Sequence, residues 1–226
     1  MRRMSPYLTR LLLPTRLSAN AVTWSMLVVG LVAAFMLSLD SVVAAGAAVV
    51  LIQIQVLLDC SDGELARWRK QFSPAGIYVD RLAHYVTETA FPIALGIRAD
   101  GGWDSIGGWT QLGLLVALIA ALIRMESALV DVARAQAGRP VVADTEEVAA
   151  PTRTLLRRLR QAAGRLPFYR ALVAPEAAML AFGAAIGDAT AGEHVGTRVL
   201  VGTLLPIAAI TALGHLFAIL TSNRLR

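Results

Sequence analysis

The sequence predicts an all-α integral membrane protein, with six transmembrane helices preceded by an N-terminal interfacial amphipathic helix, folded as one domain over residues 1–226. Three observations lead there. Hydrophobic residues make up 56% of the 226 residues and the mean hydropathy is +0.60, more apolar than an ordinary soluble domain. The apolar residues fall into about six stretches of roughly 20 residues, each long enough to cross a bilayer. Basic residues gather in alternate breaks between those stretches: at Arg2, Arg3, Arg10 and Arg16, at Arg67, Arg69 and Lys70, from Arg134 to Arg170, and at Arg224 and Arg226. The positive-inside rule places this basic set in the cytoplasm, with both termini inside and an even number of spans.

Each element follows from local pattern. Residues 3–14, RMSPYLTRLLLP, are too short to span and mix Arg with Leu, as does a helix lying along the membrane surface. Ser18 or Asn20 can cap the first span, from about Ala21 to Leu39, and Asp40 marks a tight outer turn. The second span covers about Val42–Leu58 and continues through Asp59 to Trp68. The SPAG turn restarts the chain into a third span, Ile77 to about Leu95, whose Asp80, His84 and Glu88 recur every four residues. That stripe should face protein rather than lipid. IRADGGWDSIGGW is read as the second outer loop, with Trp103 and Trp109 as interface anchors. The fourth span, about Gly113–Arg134, carries Arg124, Glu126 and Asp131, either as a salt-bridged helix end or as part of a substrate contact. Residues 138–170 are read as a basic cytoplasmic loop, solvated or hugging lipid headgroups. The fifth span runs from Pro175 to Ile186, GDATAGEHVG is the third outer loop, and the sixth span is about Val199–Leu220. The N-terminal Arg cluster, followed by turn-rich LLLPTRLSAN, does not have the form of a cleavable signal peptide.

Charge excludes less than it first suggests. The 21 basic and 16 acidic residues give a net charge of +5 and a pI near 10.1, a balance that can mark nucleic-acid binding. Membrane topology accounts for it better, and no nucleic-acid partner is expected. The lone Cys60 excludes an internal disulfide. Arginine in place of lysine, with much alanine, fits a bacterial protein of the inner or plasma membrane.

The chemistry is concentrated between Asp59 and His84. Asp59 and Asp62 are three apart, and Asp80 and His84 four apart, so on helices each pair falls on one face about a turn apart. Carboxylates at the ends of two neighbouring spans are expensive unless something positive lies between them. Oxygen-rich sites select hard cations such as Mg2+ or Mn2+, which commonly share their shell with phosphates. Gly63 removes a side chain where something must approach the helix, Ala66 is a turn further on, and Arg67 brings a planar fork suited to phosphate. The local logic is a metal-bound diphosphate against a small-residue face.

Asp59-x-x-Asp62-Gly63-x-x-Ala66-Arg67, eight residues, then Gly76-x-x-x-Asp80-x-x-x-His84 resembles the CDP-alcohol phosphotransferase signature DxxDGxxARx8GxxxDxxxD at every fixed position except the last. Ser18–Thr23 is also similar to the segment lining that family's cytidine pocket. The resemblance implies an interfacial helix and six spans, commonly a homodimer. It implies that Asp59, Asp62 and Asp80 hold two divalent ions, Mg2+ or Mn2+. Gly63, Ala66, Arg67 and Ser73, with Asn20 and Thr23, would contact the nucleotide or its phosphates. The implied reaction is attack of an acceptor hydroxyl on the phosphorus distal to cytidine, releasing CMP and forming a phosphodiester, with the site facing the cytoplasm.

His84 stands where the family usually has an Asp that acts as general base and metal ligand. Imidazole can do both. Glu88, four residues on, either orients the His84 ring or pairs with Arg81 or a neighbouring span. Toward the acceptor, Val130–Gln136 is similar to a run that binds inositol phosphate in one branch: Arg134 is kept, the branch's Lys is absent and Asp131 is nearby. Pro175-Glu176-Ala177 likewise lacks a cation of that branch, which favours a neutral polyol or an amino alcohol. Three readings stay open: transfer from a CDP-diacylglycerol-like donor to make a phospholipid, transfer from a soluble CDP-alcohol to a lipid or polyol, or a non-catalytic member that binds nucleotide and metal.

Overall fold

The computed structural model describes residues 3–139, 175–222 and 225. Among these the regular structure is helical: α1 (Ser5–Leu12), α2 (Ala19–Ser38), α3 (Val42–Trp68), α4 (Pro74–Ala99), α5 (Gly108–Gln136), α6 (Pro175–Ala191) and α7 (Val195–Thr221). Four of them, α2, α3, α5 and α7, are long and apolar enough to cross a membrane. The other two long helices differ in character: α4 carries the polar stripe, and α6 has 17 residues. The basic loop expected over residues 138–170 lies almost wholly outside the described residues.

Helix starts follow hydroxyl caps. Ser18, Ser41 and Ser73 each accept a hydrogen bond from the backbone N–H three residues on, at 3.1, 3.3 and 3.1 Å, and so begin α2, α3 and α4. Three helix ends share a left-handed turn. After α3 the Gln71 N–H bonds the Ala66 carbonyl and the Lys70 N–H bonds that of Arg67, with Lys70 at φ 54°. The same Schellman pattern closes α4 with Gly101 and α5 with Gly138, so the turn between the two halves of the signature is the one of the three made without glycine.

Several boundaries differ from expectation. The first helix spans Ser5–Leu12 rather than residues 3–14, since the chain turns before Pro14. The second outer loop shrinks to Asp100–Gly107, because Asp100 accepts the Gly107, Trp109 and Thr110 N–H groups and so caps α5 five residues earlier than hydropathy indicated. GDATAGEHVG is mostly helix: α6 continues to Ala191, held where Asp188 accepts the Thr197 N–H at 2.9 Å. Trp109 packs against the core near Gly202, whereas Trp103 stays half exposed and donates to Ser38 at 2.8 Å.

Glycines set the helix spacing. A Cβ at Gly30 of α2 would meet Gln55 Nε2 of α3 at 2.8 Å and overlap Thr87 of α4. Those three helices therefore converge tightly, and Gln55 donates to Thr87 across the contact at 3.1 Å. Between α4 and α5, a Cβ on Gly96 would sit 2.6 Å from the Trp109 carbonyl, and one on Gly113 would overlap that of Pro92. The close approach of α2, α3 and α4 brings the two halves of the signature face to face.

Candidate metal and nucleotide site

Twenty-seven residues of helix are about 40 Å long, more than the roughly 30 Å of a hydrocarbon core, so α3 can carry its last turns beyond it. Those turns hold Asp59, Asp62, Gly63, Ala66 and Arg67, and α4 starts again beside them. The two helices bring Asp59, Asp80 and His84 together, with one ligand atom from each lying within 4.8 Å of the other two. His84 Nε2 is 2.9 Å from Asp59 Oδ1 and 3.7 Å from Asp80 Oδ1. All three are partly buried, so solvent and substrate can reach them.

Asp62 is placed differently. Its side chain is 6% exposed and its Oδ2 accepts a 2.7 Å hydrogen bond from the Thr23 hydroxyl of α2. It stands outside the trio, and Thr23, expected near the nucleotide, is its buried hydrogen-bond partner. Asn20 lies beside the start of α4: a Cβ on Gly76 would be 3.1 Å from Asn20 Oδ1 and 3.4 Å from Ser73 Oγ. The two expected nucleotide contacts at that end therefore meet over Gly76, which leaves them room. The Arg67 guanidinium folds back over Gly63, where an added Cβ would be 3.3 Å from Nη1, while Ala66 is partly buried and Arg67 exposed.

Glu88 does not orient the His84 ring. It is gripped by Arg124 of α5, with Nε donating at 2.6 Å to Oε2 and Nη2 donating to Oε1. The physical reason is that a carboxylate in this partly buried stripe gains most from a two-pronged guanidinium partner. Other charged residues of α5 are also placed: Asp131 pairs with Arg81 at 3.3 Å on an exposed surface, Glu126 with His215 of α7 at 2.8 Å, and Arg134 is buried. Asp131 thus faces a cation of α4 one residue from Asp80.

Two residues next to the signature were not singled out from sequence. Glu64 accepts hydrogen bonds from Ser5 at 2.6 Å and Thr9 at 2.7 Å, which docks α1 on α3. Arg69 donates to the carbonyls of Leu12, Leu13, Thr15 and Leu17, holding the connector into α2. The spacing of Ser5 and Thr9, four apart on one helix face, was the available signal for the first. Nothing local signalled the second, because its partners are backbone.

The donor set fits a divalent cation: two carboxylates and an imidazole converge from two helices at separations that neighbouring ligands of one ion adopt. A dication held there would neutralise a diphosphate, which the carboxylates alone would repel, and the exposed Arg67 adds a cation nearby. Comparison with curated proteins gives no significant match. A family model described as CDP-alcohol phosphatidyltransferase matches residues 16–183, from the connector before α2 into α6.

Proposed function

The chain belongs to the CDP-alcohol phosphatidyltransferase family, and on that premise we propose that it is a membrane transferase that passes a substituted phosphoryl group from a CDP-linked donor to an alcohol hydroxyl, releasing CMP. The observation that carries this reading is the meeting of Asp59, Asp80 and His84 beside Asp62 and Arg67. The favoured donor resembles CDP-diacylglycerol, which would make the product a phospholipid. The apolar helices α2, α3, α5 and α7 support a donor that arrives from the bilayer. Arg67, Arg69 and Lys70 at the signature end support a site that faces the cytoplasm, by the positive-inside rule.

In the proposed step the acceptor oxygen bonds the phosphorus distal to cytidine, and the bond from that phosphorus to the bridging oxygen breaks. CMP leaves with the bridging oxygen. Divalent cations, two in this reading and either Mg2+ or Mn2+, would be held by Asp59, Asp62, Asp80 and His84 and would supply charge neutralisation on both sides of the displacement. His84 accepts the proton of the attacking hydroxyl through whichever ring nitrogen is not bound to an ion. Arg67 grips phosphate, and Asn20 and Ser73 border the nucleotide side. Asp131 and Arg134 border the acceptor side, where a neutral polyol or amino alcohol fits better than a phosphorylated one. Glu88 acts on His84 only through charge, since Arg124 holds its oxygens.

CMP release from a panel of CDP-activated donors and alcohol acceptors, with Mg2+ or Mn2+ present, tests the reading. Wild type should release CMP with at least one pair, Asp62→Asn should abolish release, and His84→Ala should lose most of it, with the residual rate rising at high pH. Full turnover in Asp62→Asn would remove the metal assignment. If wild type releases no CMP and His84→Asp does, the chain is a non-catalytic member. Extraction of the product into organic solvent separates the lipid donor from a soluble one.

A further inference from the structure

We propose that the site prefers a first-row transition dication, one that accepts nitrogen, over Mg2+, and that His84 is the residue that sets this preference. The proposal rests on the transferase reading for what the ion does, but the preference itself follows from the donor set. His84 presents Nε2 to both carboxylates, 2.9 Å from Asp59 Oδ1 and 3.7 Å from Asp80 Oδ1. Ligand atoms bound at about 2.1 Å to one ion lie roughly 3 to 4 Å from one another, so the nitrogen stands where a ligand would.

The residues nearby do not replace it with oxygen. Glu88, a turn further along α4, has both carboxylate oxygens committed to Arg124. Asp62 has Oδ2 committed to Thr23 and lies outside the trio. Within the trio the set is therefore two carboxylates and one imidazole nitrogen, with only the second oxygen of Asp62 left to add to it. Mg2+ demands oxygen ligands in near-ideal octahedral geometry and sheds water reluctantly. Imidazole suits transition dications, whose affinity for nitrogen rises along the first row, while the two carboxylates and substrate phosphates remain acceptable to Mn2+.

Mn2+ binding to the full chain in detergent, followed by electron paramagnetic resonance, tests this apart from activity. Wild type should bind Mn2+, show nitrogen coupling in the pulsed spectrum, and release the ion only at large excess of Mg2+. In His84→Asp the nitrogen coupling should vanish and the Mg2+ excess needed should fall by about tenfold or more, since even a partner one step removed from a metal is worth that much. His84→Gln, which keeps size and removes the ring, should also lose the coupling, and this excludes His194 and His215 as its source. Equal Mg2+ competition in wild type and His84→Asp, or coupling that survives both variants, overturns the proposal. If wild type binds no Mn2+, or if Asp59→Asn with Asp80→Asn leaves binding intact, the metal site of the transferase reading fails as well.

Discussion

Thr23 shows how one hydroxyl can support a buried carboxylate, here one proposed to bind metal. Asp62 is nearly inaccessible, and the Thr23 Oγ1–Oδ2 bond of 2.7 Å is its cross-helix partner. Thr23→Val keeps the shape and removes the donor, so a buried carboxylate loses a hydrogen bond worth about 1–3 kcal/mol. A lower melting temperature in detergent and slower CMP release should appear together; unchanged melting would mean that Asp62 finds another partner. At this scale the sequence was informative about kind and less so about pairing. The four-residue spacing brings His84 within 3.7 Å of Asp80 on one helix face, because that geometry is local. That Asp59 meets His84, while Asp62 meets Thr23, depends on how three helices pack around Gly30. Glu88 had two reasonable partners in sequence, and the one it takes, Arg124, is 36 residues away.

Helix α1 is tied to the signature helix by side chains rather than by apolar packing alone. Ser5 and Thr9 are buried against Glu64, while Met4, Tyr7 and Leu11 remain exposed on the other face. This exposed face suits the membrane interface, which is the position proposed for it. Glu64→Ala removes both hydrogen bonds without touching the metal-ligand candidates. Cleavage by trypsin at Arg10 and Arg16 should then speed up by about tenfold, as expected when contacts worth a kcal/mol or two hold a segment closed. No change in cleavage would show that Arg69 alone secures the segment. Hydropathy marked the long helices well and their ends poorly. Asp100 and Asp188 belong to loops by composition, yet each accepts backbone N–H groups at a helix start and thereby lengthens a helix.

Across the whole molecule, the end opposite the signature is closed by a buried arginine. Arg98 is 1% exposed, donates to the Leu39 and Ser41 carbonyls of the α2–α3 turn, and lies 3.6 Å from Asp188 of α6. Arg198 of α7 donates to Ala99 at 3.0 Å beside it. Arg98→Met should destabilise the bundle by about 3–5 kcal/mol, because Asp188 would stay buried without its cation. Thermal unfolding measures this, and a double variant with Asp188→Asn should recover part of the loss. Asp100 adds a pH dependence at the same end. Burial alone would raise its pKa, but hydrogen bonds from the Thr110 hydroxyl and from the N–H groups of Thr110, Gly107 and Trp109 hold it below the ordinary carboxylate range. Its contribution is therefore complete above the ordinary carboxylate pKa and is lost as pH falls through the lowered one. Hydrogen exchange at Gly107, Trp109 and Thr110 should stay slow at neutral pH and lose protection under strong acid, whereas Asp100→Asn should flatten that dependence.

By itself the sequence determined the membrane character of this protein and the family its signature belongs to, because hydropathy is a running sum and ligand spacing on a helix is local. The tertiary structure alone decided the partners: His84 with Asp59, Thr23 with Asp62, Arg124 with Glu88, and Glu64 with α1. Each of those links joins helices, over sequence separations of 25 to 59 residues. A charge in a low-dielectric bundle must be paired, but several cations or donors would satisfy it equally well from sequence. Helix packing, set here by glycines that let backbones approach, chooses among them.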